Sequence, residues 1–155
     1  MEELRMIMRE LPLPVVIVTV NWRGNQTGMT VNTFNSLSLR PPLILFSADR
    51  SKGNHLPFIE ADSFVVNFVE DEKLSDRFAN VPPEDRFTGL KFHRGVTGAP
   101  ILEDAYAYIE AKKSKVIDEG DHSILIGEVL EGKIVRDGRP LLYYRRRYWR
   151  LNEFA

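Results

Sequence analysis

The chain has 155 residues, 43% apolar and 28% charged, with a net charge of −1 and no cysteine. That length supports one domain with a substantial core, and the charge balance excludes a surface built throughout for nucleic acid or anionic lipid. The lack of cysteine excludes a disulfide framework and any thiolate metal site.

In chain order, Leu4, Ile7, Met8 and Leu11 recur at helical spacing, so a short amphipathic helix opens the chain, and Pro12 and Pro14 end it. Its early acidic residues are unlike a signal peptide, and no segment approaches the roughly 20 apolar residues of a membrane helix. A single soluble domain over residues 1–155, cytoplasmic and without a membrane partner, is the expectation. Residues 15–20 form a β-branched run that reads as a buried strand, and "NWRGNQTG" reads as a hairpin connection. Strands are expected at about 28–39 and 43–48, on either side of Pro41-Pro42. "NHLPFIEAD" allows a short helix, 63–69 a strand, and "EDEKLSDRFA" a helix with Leu74 and Phe78 on one face. Residues 80–100 are irregular. Strands follow at 106–117, 123–133 and 141–151, joined by turns at Glu119-Gly120-Asp121 and Asp137-Gly138. The pattern is mainly β, a closed or nearly closed antiparallel β-barrel with short helices. No GxGxxG follows a strand, so no Rossmann site is visible.

The second of these strands is unusual for a core strand. Thr30, Asn32, Thr33, Asn35, Ser36 and Ser38 place small hydroxyl and amide groups where Val, Ile and Leu would be expected. Alternation puts Thr30 and Asn32 on one face, and Met29, Val31, Thr33 and Asn35 on the other. Such a strand is either a solvated or subunit-contacting face, or a platform on which a flat, polar-edged ligand approaches the backbone. In "SADRSKGN", Arg50, Ser51, Lys52 and Asn54 surround a glycine just before a helix start, as in a phosphate cradle or a capped surface loop. His122 in "EGDHSILIGEV" stands at the mouth of a strand, where it makes a structural hydrogen bond or serves chemistry. His55, His93 and His122 lack metal-ligand spacing, so no metal is expected, and there is no GxSxG elbow. In "PLLYYRRRYWRL" aromatic and basic residues interleave, either as a solvated cationic strand or as a grip for phosphates and bases.

In order, "GMTVNTFNSLSLRPPLILFS", "FVVNFV", "LSDRFA", "GAPILEDAYAYIEA", "GDHSILIGEV" and "PLLYYRRRY" resemble the flavin reductase-like family, over roughly residues 15–151. The resemblance implies the FMN-binding split barrel of the reductase components of two-component flavin monooxygenases. It implies NAD(P)H:flavin oxidoreductase activity with FMN or FAD, NADH or NADPH as co-substrate, a homodimer, and a separate oxygenase as a possible partner. By the same match, Thr30, Val31, Asn32 and Thr33 contact the flavin ring, with Ser47, Ala48 and Asp49 following. Ser51, Lys52 and Asn54 take the phosphate side, and Arg77 and Phe78 the cofactor's tail. His122, the catalytic candidate, receives the nicotinamide nucleotide with Tyr144, Arg145, Arg147 and Tyr148. Many relatives carry glycine where this chain has Arg146, which implies a differently shaped nicotinamide pocket or a preference for a phosphorylated nucleotide. Two other readings stand beside this one: an FMN-binding electron carrier resembling flavoredoxin, and a small barrel gripping single-stranded nucleic acid through residues 143–150.

Overall fold

The computed structural model describes residues 1–151. Its elements are α1 (Glu2–Met8), β1 (Leu13–Pro14), β2 (Val16–Trp22), β3 (Asn25–Val31), β4 (Asn35–Leu39), β5 (Pro42–Asp49), α2 (Leu56–Glu60), β6 (Ser63–Phe68) and α3 (Glu72–Asn80). After a 3-10 turn at Pro83–Asp85 come β7 (Phe92–Arg94), β8 (Pro100–Leu102), β9 (Ala107–Glu119), β10 (His122–Ile134), β11 (Leu141–Tyr144) and β12 (Arg147–Arg150). Seven strands form one antiparallel sheet in the order β3-β2-β6-β9-β10-β5-β4, with small sheets β1-β11-β12 and β7-β8 beside it.

The architecture is mainly β, and the large sheet curls around a shared core without closing its ladder. Val16, Val18 and Val20 of β2 and Val31 of β3 share one buried cluster with Ile44, Phe46 and Ala48 of β5. Strands near both ends of the sheet thus cover the same core. Phe46 sits at its centre, edge-on to Phe58 and Phe64. The opposite face of β2 is buried too: Ile17 packs with Leu74 and Phe78 of α3 and with Leu102. A strand buried on both faces explains the unbroken β-branched run at 15–20.

Two expected strands are each divided. The segment 28–39 leaves the ladder at Asn32–Phe34, where Phe34 packs edge-on to Phe68, and resumes as β4. The segment 141–151 is a hairpin, because Arg145 and Arg146 adopt φ of 50° and 65° between paired Tyr144 and Arg147. That is the two-residue type I′ geometry that hairpins favour. The first hairpin turns the same way at Arg23-Gly24.

Buried polar groups fasten the loops to the sheet. Asn67, fully buried, donates to the Ile17 carbonyl at 3.0 Å and to Thr19 Oγ1 at 2.9 Å, and accepts from Leu102 N–H at 2.9 Å. Thr19 in turn donates to the Pro100 carbonyl at 2.6 Å. Glu110, also buried, accepts from Thr97 Oγ1 at 2.8 Å and from the N–H groups of Thr97 and Val96. Every member of this set is paired, so its desolvation is compensated.

Gly127 of β10 lets the Phe64 ring lie against the backbone: an added Cβ would stand 2.6 Å from Phe64 Cζ and 2.9 Å from Ala111 Cβ. Gly127→Ala is expected to destabilise the fold by about 1–3 kcal/mol through overpacking, read as a lower denaturant midpoint. Phe64→Leu in the same chain should recover part of the loss. An unchanged midpoint would show that Phe64 can move aside freely.

Candidate active site

A concavity of about 520 Å³ opens where the big sheet fails to close. Its wall includes the consecutive residues Met29, Thr30, Val31, Asn32 and Thr33, and on the other side Ser47, Ala48 and Asp49. Consecutive rather than alternate residues line it because strand edges, not strand faces, meet the cavity. β3 ends the sheet on one side. On the other, β4 pairs with β5 only as far as Leu45, leaving Ser47 to Asp49 uncovered on that edge. Thr33 spans the gap: its hydroxyl accepts from Ser47 N–H at 2.9 Å and donates to the Ser47 carbonyl at 3.2 Å. One threonine side chain satisfies both main-chain groups that a longer β4 would have paired.

α3 forms another wall through Asp76, Ala79 and Asn80. Asp71 caps the helix by accepting from Lys73 N–H at 2.8 Å. Thr30 Oγ1 donates to the Ser75 carbonyl at 2.5 Å, locking α3 against β3, and Ser75 Oγ donates to Tyr148 Oη at 3.1 Å. Burial pushes the Tyr148 phenol above its ordinary pKa, so its hydroxyl stays protonated and polar. The fourth wall is the β11–β12 hairpin, with Tyr143, Arg146, Arg147 and Tyr148.

His122 and Asp49 face one another in the β10–β5 ladder, and both line the cavity. Hydrogen bonding from the Ser51 backbone holds the Asp49 carboxyl below its ordinary range, helped by its Ser51 side-chain bond and by His122 and Lys52. The His122 Nδ1 lies 2.7 Å from Asp121 Oδ1. An ionised carboxylate only accepts, so Nδ1 carries hydrogen and Nε2 is left for other partners.

The structure therefore gathers Thr30, Val31, Asn32, Thr33, Ser47, Ala48, Asp49, His122, Arg147 and Tyr148 around one cavity. Other candidates stand elsewhere. Ser51, Lys52 and Asn54 lie in the following loop, outside the cavity lining, although Ser51 N–H holds Asp49 at 2.7 Å. Arg77 donates to the carbonyls of Arg86, Asp85 and Thr88, and so pins the loop after α3. Phe78 is fully buried, its ring beneath Gly28, where it supports β3 from behind. Tyr144 and Arg145 face away, toward Glu10, which accepts from Arg145 at 2.7 Å. Lining residues that the family resemblance does not assign to the site are Val15, Met29, Asp76, Ala79, Asn80, Tyr143 and Arg146. For Arg146 the departure from glycine is a signal. The α3 residues carry none, because helix periodicity marks the buried face and not its rim.

A small-residue cradle between two strand edges, with amide and hydroxyl groups and two arginines at one side, suits a flat heterocycle carrying phosphate. Comparisons with known proteins agree with that chemistry. The family model described as "Flavin reductase like domain" matches residues 8–152. A flavin reductase of Pseudomonas putida is 37% identical over 93% of this chain and 86% of its own length. The reductase subunit HsaB of a flavin-dependent monooxygenase of Rhodococcus jostii is 32% identical, over 93% and 74%. Among solved structures, the flavin reductase HpaC complexed with NADP⁺ superposes with a TM-score of 0.92 at 54% identity, over 97% of each chain.

Thr33→Val removes both bonds to Ser47 while keeping the side-chain shape. It is expected to lower stability by about 1 kcal/mol, and to speed hydrogen exchange at the Ser47 amide selectively. Unaltered exchange at that amide would mean that Thr33 does not hold the gap.

Proposed function

The chain belongs to the flavin reductase-like family, and from that premise we propose which of its residues carry the chemistry. The protein is an NAD(P)H-dependent flavin reductase, an oxidoreductase that transfers hydride from a nicotinamide nucleotide to FMN or FAD. The observation that carries the site assignment is the pair of segments without a neighbouring strand on one side, Met29–Thr33 and Ser47–Asp49, lining one cavity with His122 and two arginines.

In this reading the two edges hold the flavin ring, and their small side chains let it reach the main chain. A bound flavin supplies the hydride-accepting ring, so the chain needs no strong acid or base of its own. Main-chain N–H groups along the β3 edge, with Asn32, would hold the flavin ring and offer it hydrogen-bond donors. Asp121 holds His122 so that Nε2 points its hydrogen-bonding capacity at the nucleotide, orienting the donor. Tyr148, anchored on Ser75, and Arg147 complete the nucleotide side. Arg77 and Phe78 act from behind, and Ser51 through Asp49, without entering the cavity.

We place the protein in the cytoplasm, where NAD(P)H is available, as a single domain across 1–155 that works as a homodimer. Exposed apolar residues support the dimer: Leu4, Ile7, Met8 and Leu11 on and beyond α1, and Leu37 and Leu39 on the edge strand β4. The partner for reduced flavin would be a separate oxygenase; the Rhodococcus relative is named as the reductase subunit of a flavin-dependent monooxygenase.

Anaerobic titration of the protein with FMN by NADH and then NADPH is expected to bleach the flavin absorbance far faster than in a protein-free control. Retained yellow colour without bleaching would instead mean an electron carrier served by a protein donor. In the same assay, His122→Ala is expected to lower kcat/KM for the nucleotide roughly tenfold, the worth of one orienting hydrogen bond of about 1.4 kcal/mol. Unchanged turnover and nucleotide KM would remove His122 from the site.

A further inference from the structure

Three consecutive arginines form the end of the β11–β12 hairpin, and they are not equivalent. Arg145 is committed to Glu10 and lies over the Tyr144 ring. Arg147 lies 5.8 Å from the centre of the Trp149 ring. Arg146 makes no hydrogen bond or ion pair among the described residues, is exposed, and lines the cavity. It also occupies the second turn position with φ of 65°, where a side chain is strained and glycine is the ordinary choice. The chain thus keeps a long cation at a point where the backbone alone would favour no side chain.

Local charge shows what that cation could serve. Asp49 and Asp76 line the same cavity, and Asp49 is held ionised. Anionic walls repel a phosphorylated ligand unless cations at the entry offset them. Arg147 and Arg146 are the two arginines there, and an unpaired guanidinium matches the oxygens of a phosphate in two-point fashion.

We propose that Arg146 binds a phosphate group of the nicotinamide nucleotide, and that the hairpin keeps its strained backbone for that purpose. The inference rests on the reductase reading. The group is either the pyrophosphate common to both nucleotides or the 2′-phosphate of NADPH. These share one chemistry and differ in which co-substrate depends on Arg146.

The test compares Arg146→Gly, Arg146→Lys and Arg146→Gln, with KM and kcat measured for NADH and for NADPH at several salt concentrations. FMN affinity is measured separately by fluorescence. Arg146→Gly relieves the turn and is expected to melt at or above the wild-type temperature, yet to raise nucleotide KM roughly tenfold. Its effect on kcat should be smaller, and its KM should depend less on salt. Arg146→Lys should recover part of the loss and Arg146→Gln none. A rise confined to NADPH identifies the 2′-phosphate, and an equal rise for both identifies the pyrophosphate. If the wild type turns over but Arg146→Gly leaves both KM values within twofold, or weakens only FMN, the proposal fails and the reductase reading stands. If the wild type reduces flavin with neither nucleotide, the reading itself has failed.

Discussion

A β-sheet whose ladder does not close must leave two edges, and everything this molecule can bind depends on where they fall. Edge N–H and C=O groups are exposed donors and acceptors that proteins usually cover. Here the curl of seven strands brings the C-terminal half of β3 near the C-terminal end of β5, and the early end of β4 keeps them apart. The resulting slot is walled by main chain. Thr33 prevents collapse or splaying by bonding Ser47 across it. Small hydroxyl side chains are needed there because larger ones would fill the slot.

The rest of the fold positions that slot. Phe46, Phe58 and Phe64 form a stiff centre that fixes the curl, and Gly127 permits the close approach of Phe64. α3 rests on β3 through Thr30 and Phe78, and its far side becomes a cavity wall. Buried Arg86 donates to the Gly28 carbonyl at 2.7 Å, satisfying one main-chain group of β3 just before the segment that lines the slot.

Charge is also arranged around the slot. Asp49 and Asp76 stand against Arg146 and Arg147, while Arg145, one residue away, is neutralised by Glu10. Within the two-residue turn, Arg145 pairs with Glu10 just beyond α1, while Arg146 lines both the cavity and the neighbouring groove against α1. A sequence of three arginines therefore becomes one structural cation and two available ones.

Much of this is legible in the order of residues alone. The β-branched run at 15–20, the amphipathic pattern of α3 and the turn chemistry at Gly120-Asp121 all announce their elements, because burial and local backbone preference act over a few residues. The polar strand and the GDH segment announce the family and most of the cavity lining. Residues whose position depends on distant partners are not legible: the break at Asn32–Phe34 follows from Phe34 packing on Phe68, and Phe78, whose helix face marks it for burial, meets its partner Gly28 only in the packed fold. Likewise Arg77, which the family resemblance assigns to the cofactor's tail, spends its donors on loop carbonyls. By itself, the sequence determined the strands, the family and the chemistry on offer, since those are set by local pattern. Only the tertiary structure decided which strand edges stay open and which arginine faces them, since edges and charge partners exist only once remote segments have packed together.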